Sequence, residues 1–138
     1  MRQRLELKAV KVLAILALLW LAGTGLANGA IPQSERAALI ALYTSTNGDS
    51  WTTATNWRDP ADPTQFNAPG TEGTWHGVTL TTDGNHVGRI NLARNNLSGP
   101  LPGQLNDLPY LYGLELNYNN LTGDIPDLSG LQQLTVLY

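Results

Sequence analysis

The densest grouping of metal-ligating side chains is His76, Asp83 and His86, and these are the only two histidines. Three such ligands could hold a zinc ion and activate water, but their spacing matches no zinc signature. Asp83 is followed by Gly84 and Asn85, a turn composition. The bland reading therefore wins: a loop acid between two half-exposed histidines. Asp59-Pro60-Ala61-Asp62-Pro63 lacks the dense oxygen spacing of a calcium loop and also reads as a turn. There is no cysteine, which removes a thiolate metal site, an iron–sulfur cluster, a cysteine nucleophile and any disulfide. No G-x-S-x-G nucleophile elbow and no phosphate-cradling glycine loop occurs. No catalytic residue, metal ligand or cofactor is assigned. A hydrolase built on His76 and His86 is the weakest of three readings, and the chain is not expected to be an enzyme.

The elements that position side chains are plainer than the chemistry. The chain has 138 residues, room for one domain plus appendages. Arg2, Arg4, Lys8 and Lys11 precede an apolar run from Val12 to Ala22, and Gly25-Leu26-Ala27 supplies small residues for cleavage. This layout is that of a secretory signal peptide over residues 1–27, too short to span a bilayer without strain. A secreted, periplasmic or cell-surface location is expected, with no membrane insertion after cleavage near Ala27. Residues 28–138 then hold four arginines, no lysine and ten acidic side chains, a net charge of −6. Such a surface repels phosphate backbones and anionic headgroups, so nucleic acid is not an expected partner.

Residues 87–138 repeat. Leu92, Asn95, Leu97, Gly99, Leu101 and Pro102 recur 24 positions later as Leu116, Asn119, Leu121, Gly123, Ile125 and Pro126. Leu105, Leu108 and Leu111 recur 23 positions later as Leu128, Leu131 and Leu134, and LTVLY (134–138) opens a third unit. Within a unit Val87, Ile90 and Leu92 suit a short strand facing a shared core. Asn95 can satisfy turn backbone groups and stack as a ladder. Gly99 and Gly123 permit a bend, and Pro102 and Pro126 start the return.

The pattern L-x-x-L-x-L-x-x-N-x-L-[ST]-G-x-[IL]-P resembles the leucine-rich repeat, in the subtype found in plant receptors and bacterial secreted proteins. The resemblance implies an α/β solenoid: a right-handed coil of short parallel strands. Upstream, Ser34 is expected to cap a helix carrying Glu35 in its first turn and Leu39, Leu42 and Tyr43 on one face, with Asn47-Gly48 as the stop. Trp51, Trp57 and Trp75 follow, and TWHGVTL (74–80) reads as an extended segment. This arrangement is similar to the family's helical, Trp-rich N-terminal cap, here residues 28–86. Gly73 and Leu80 stand where that cap carries its two cysteines.

Strand alternation puts the residues between the leucines on the concave face. Stacked repeats align Asn91, Glu115 and Tyr138; Arg94 and Tyr118; Ala93 and Asn117; and Arg89, Gly113 and Val136. The candidate binding residues are Arg89, Asn91, Arg94, Tyr112, Glu115, Asn117, Tyr118 and Tyr138, Tyr and Arg being the types that most often anchor interfaces. The resemblance implies a secreted binding module for a protein or peptide, less so for a glycan. The rival expectation is a truncated fragment of a longer repeat protein with no independent or only a structural role, because Tyr138 falls inside the third strand. An uncapped end would then invite self-association.

Overall fold

The computed structural model describes residues 30–138. The expected signal peptide, residues 1–27, lies outside the described residues. Helix α1 spans Gln33–Ser45 and begins one residue before Ser34. Pro32, with ψ of 144°, holds the capping position without a side-chain hydrogen bond, so Ser34 is a first-turn residue and not the cap. Proline suits a helix entry because it has no N–H to leave unpaired. Leu39, Leu42 and Tyr43 are buried, as their spacing implied. The helix stops at Thr46, and Asn47 turns the chain with φ of 58°, a left-handed conformation that asparagine tolerates.

Tyr43, Trp51, Trp57, Phe66 and Trp75 form a continuous aromatic cluster, with neighbouring ring centroids between 4.8 and 6.2 Å apart. Each tryptophan N–H is spent inside the protein: Trp51 donates to Thr46 O, Trp57 to His76 O, and Trp75 to the Thr71 hydroxyl. That satisfies the one polar atom each ring carries into the core. Arg36 and Glu72 form a buried ion pair beside this cluster, and the Arg36 guanidinium lies 5.0 Å from the Trp75 ring centroid.

Strands β1 (Val78–Leu80), β2 (Val87–Asn91), β4 (Gly113–Glu115) and β6 (Val136–Leu137) form one sheet in the order β1-β2-β4-β6. The pairs β2–β4 and β4–β6 are parallel, with Arg89 opposite Gly113 and Gly113 opposite Val136. β1 pairs with β2 antiparallel. The repeat strands are parallel, as expected, and the short turn at Asp83-Gly84-Asn85 reverses the chain ahead of them, so β1 and β2 make a hairpin. The expected extended segment over 74–80 shortens to β1, because Glu72–Thr74 winds into a 3₁₀ turn. Strands β3 (Ser98–Pro100) and β5 (Asn120–Thr122) form a second parallel pair. The return of the first unit is a 3₁₀ helix, Gly103–Asp107.

The two units share one core. Ile90, Leu92, Leu97, Leu105, Leu108, Leu111 and Leu114 are fully or almost fully buried. Burial weakens in the second unit: Leu121, Leu128 and Leu134 are only partly covered, and Ile125 is 75% exposed. A coil stacked on one side only leaves its other side open. On the helix side, Ser98 N–H donates to Thr46 O, and Gly99 (φ of 112°) lies against the Ser45 carbonyl, where a Cβ would collide.

Candidate binding surface

Asn95 and Asn119 hold the strands in register. Asn119 Oδ1 accepts from the backbone N–H groups of Asn95 and Leu97, both at 3.0 Å, and its Nδ2 donates to the carbonyls of Leu92 and Leu116, both at 2.8 Å. Asn95 plays the same part toward the upstream segment, exchanging hydrogen bonds with the backbone of Thr53. Thr52 N–H donates to Asn95 O. Residues 52–53 thus lie where a preceding coil would.

This register brings most of the sequence-predicted face together. Arg89 and Glu115, on adjacent strands, form a two-pronged ion pair, with Nε to Oε1 at 2.8 Å. Glycines make room for this pair and for Tyr112: an ideal Cβ on Gly113 would approach Arg89 Cγ to 3.0 Å, and one on Gly88 would approach the Tyr112 ring to 2.9 Å. Asn91 is exposed opposite Glu115. Tyr112 and Tyr118 are 42% and 68% exposed. Arg94 stacks on Tyr118, its guanidinium carbon 3.8 Å from the ring centroid, and Arg94 N–H donates to Asn117 O. Tyr138 continues the row beyond Glu115, its carbonyl accepting from Leu116 N–H. Arg94 and Tyr118 both have left-handed backbones, φ 56° and 58°.

The other singled-out residues do not assemble. Among the described residues no three histidine, aspartate or glutamate side chains gather as metal ligands. His86 Nδ1 pairs with Glu35 at 2.6 Å, and its ring stacks on Tyr110. Glu35, buried, also accepts Val87 N–H at 2.7 Å, tying α1 to the start of β2. Asp83 is bound by Thr81 and Asn85, and the Thr81 hydroxyl is the largest cause holding its carboxyl down at about 2. Asp59 and Asp62 accept from the N–H groups of Ala61 and Thr64, as turn residues do. Sequence reasoning missed the Glu35–His86 and Arg36–Glu72 links, whose partners lie far apart with no local pattern.

A cavity of about 290 Å³ opens at the end of the strand row, lined among others by Leu101, Leu114, Leu121, Leu128, Leu137 and Tyr138. No described helix is long and apolar enough to cross a membrane.

No protein-family model matches the chain. It is 45% identical over 65 residues to an inactive leucine-rich repeat receptor-like serine/threonine-protein kinase of Arabidopsis thaliana, a match covering 46% of this chain. The match spans about a tenth of that relative, 10% of its length. A crystal structure of PEPR1–AtPEP1 superimposes with a TM-score of 0.52 at 24% identity, over 74% of this chain and 13% of that one. A plant ice-binding protein gives a TM-score of 0.49 at 20% identity, over 78% and 40% of the respective chains. The receptor-like kinase match, the PEPR1–AtPEP1 superposition and the observed stacking agree on the architecture: two successive repeats wound as a solenoid similar to that of leucine-rich repeat proteins.

Proposed function

We propose that this chain is a secreted binding module that recognises a protein or peptide through the exposed face of the β2-β4-β6 row. One observation carries the reading. Arg89, Asn91, Tyr112, Glu115, Asn117 and Tyr118 stand on adjacent repeats, held in place by the asparagine ladder and by the room the glycines leave. Neighbouring strands lie about 4.8 Å apart, so this is a contiguous, preformed surface that costs little ordering on binding. The similar crystal structure, PEPR1–AtPEP1, is of two components together, and the shared fold supports a binding role by analogy. Residues 28–86 serve as the cap that covers the first coil. Residues 1–27 direct export and are removed. No catalytic step is assigned.

Selection from a displayed random-peptide library against the full chain tests this. Tyr112→Ala and Asn117→Ala should each weaken captured peptides roughly tenfold, as interface anchors do. Gln132→Ala, an exposed residue outside the row, should not. Captured peptides that respond to Gln132 and ignore Tyr112 would contradict the reading. A glycan ligand would show instead as binding on a glycan array with the same Tyr112 dependence.

The apolar cavity beside β6 favours one second reading, pairing with another copy. Leu137 and Tyr138, at its rim, are 53% and 71% exposed. An edge strand beside apolar surface is a pairing site. Sedimentation velocity should show concentration-dependent dimers that Leu137→Asp abolishes; a monomer at every concentration would remove this reading.

A further inference from the structure

We propose that Arg94 and Tyr118 form a recognition point for a single carboxylate on the bound partner; this rests on the binding reading above and names the chemistry of its ligand. Residues 30–138 contain ten acidic side chains and four arginines. Three arginines face a carboxylate: Arg36 with Glu72, Arg58 with Asp49, and Arg89 with Glu115. Among the described residues Arg94 is the arginine without one, although carboxylates outnumber guanidinium groups. It is exposed and stacked on Tyr118 instead. Among the described residues the Arg94 guanidinium, over the Tyr118 ring, makes no side-chain hydrogen bond or ion pair, and a guanidinium's planar N–H edge receives a carboxylate with two parallel hydrogen bonds.

The backbone supplies a second, independent observation. Arg94 and Tyr118 occupy the same place in successive repeats, and both sit at positive φ. Asparagine and glycine visit that conformation readily, and Asn96 does so two residues on. Arginine and tyrosine are the more strained choices. Strained backbone with a free functional group points to use of the side chain, not to folding. The net charge of −6 on residues 28–138 sets the valence. One cation in that field suits a monoanion better than a phosphate dianion or a polyanion.

The test is an NMR titration of the Arg94 Nε–Hε signal in the ¹⁵N-labelled full chain with four probes. They are acetyl-Gly-Glu-Gly-amide, acetyl-Gly-Gly-Gly with a free carboxyl terminus, acetyl-Gly-Gln-Gly-amide, and inorganic phosphate. A saturable shift from either carboxylate peptide, at least about tenfold weaker with the neutral glutamine control, is the expected result. The first two probes separate a side-chain carboxylate from a chain terminus. Arg94→Asn should abolish carboxylate binding while its Tm stays at or above the parent's. Equal response to the glutamine control, tighter binding of phosphate, or no saturable shift would overturn the proposal. A Tm loss of more than about 5 °C in Arg94→Asn would also do so, showing an arginine kept for packing. Failure here, with displayed peptides still captured through Tyr112 and Asn117, would overturn the carboxylate point alone. A library that yields no binder would remove the binding reading itself.

Discussion

Asn119 bonds more backbone groups through its side chain than its repeat counterpart Asn95 does. It satisfies two backbone donors and two carbonyls, none of which meets another strand at the turn. Asn119→Ala should cost about 3 kcal/mol, because several partly buried backbone groups lose their partners together. Urea unfolding measures this, and a loss under about 1 kcal/mol would contradict it. The ladder was legible in the sequence because Asn95 and Asn119 recur with the leucines. The Glu35–His86 contact was not, since helix and strand meet there across 51 residues without any repeating pattern. Asp83 gives a test on pH. Hydrogen bonds from Thr81 and Asn85 hold its carboxyl at about 2, against an ordinary 3.8. A depressed carboxylate favours the folded turn above the ordinary value, and that advantage is lost as pH falls through about 2. The Asp83 carboxyl-carbon signal should therefore titrate near 2, and Thr81→Val should move it toward 3.8. A midpoint near 3.8 in the parent would contradict the hydrogen-bond account.

Elements divide by how they hold their neighbours. The bend and the return were implied by the glycine and proline spacing, and α1 by its apolar face; the 3₁₀ winding of the return and the pairing of β3 with β5 were not. The start of α1 was misplaced because Ser34 fits the capping preference by composition, while Pro32 settles the entry by geometry. Reversal between β1 and β2 was contained in the turn residues Asp83-Gly84-Asn85, which lie ahead of the repeat. The Gly73–Leu80 correspondence was inferred from resemblance, and the structure sets the two positions side by side. An ideal Cβ on Gly73 lies 3.1 Å from Leu80 Cδ1 and 3.2 Å from Leu80 Cγ. The double substitution Gly73→Cys with Leu80→Cys should therefore close a disulfide spontaneously in air. Its short loop should add about 2.5 kcal/mol, less whatever strain the bond imposes. Thiol titration and denaturant unfolding check both halves; two free thiols in the folded protein would show the positions do not meet.

At the scale of the whole molecule, stability is graded along the coil. The first unit is covered by α1 on one side and by the second unit on the other, whereas Leu121, Ile125, Leu128 and Leu134 keep part of their surface in water. Solenoid stability is a sum of nearest-neighbour contacts, so the less covered unit opens first. Amide hydrogen exchange should be slowest from Leu97 to Leu111 and faster from Leu121 to Leu134; uniform protection would contradict the gradient. The solenoid itself was readable because each repeat states the same burial pattern twice. Function was less so, because every strand of such a coil must show some side chain to solvent, and periodicity cannot tell a water-facing residue from a binding one. The most direct test of the account is to map ¹⁵N chemical-shift changes when the full chain binds a peptide selected from the displayed library. The account expects the largest changes at Arg89, Asn91, Tyr112, Glu115, Asn117 and Tyr118. Changes centred instead on the Asp59–Thr64 turn or on Asp127–Gln132 would contradict it.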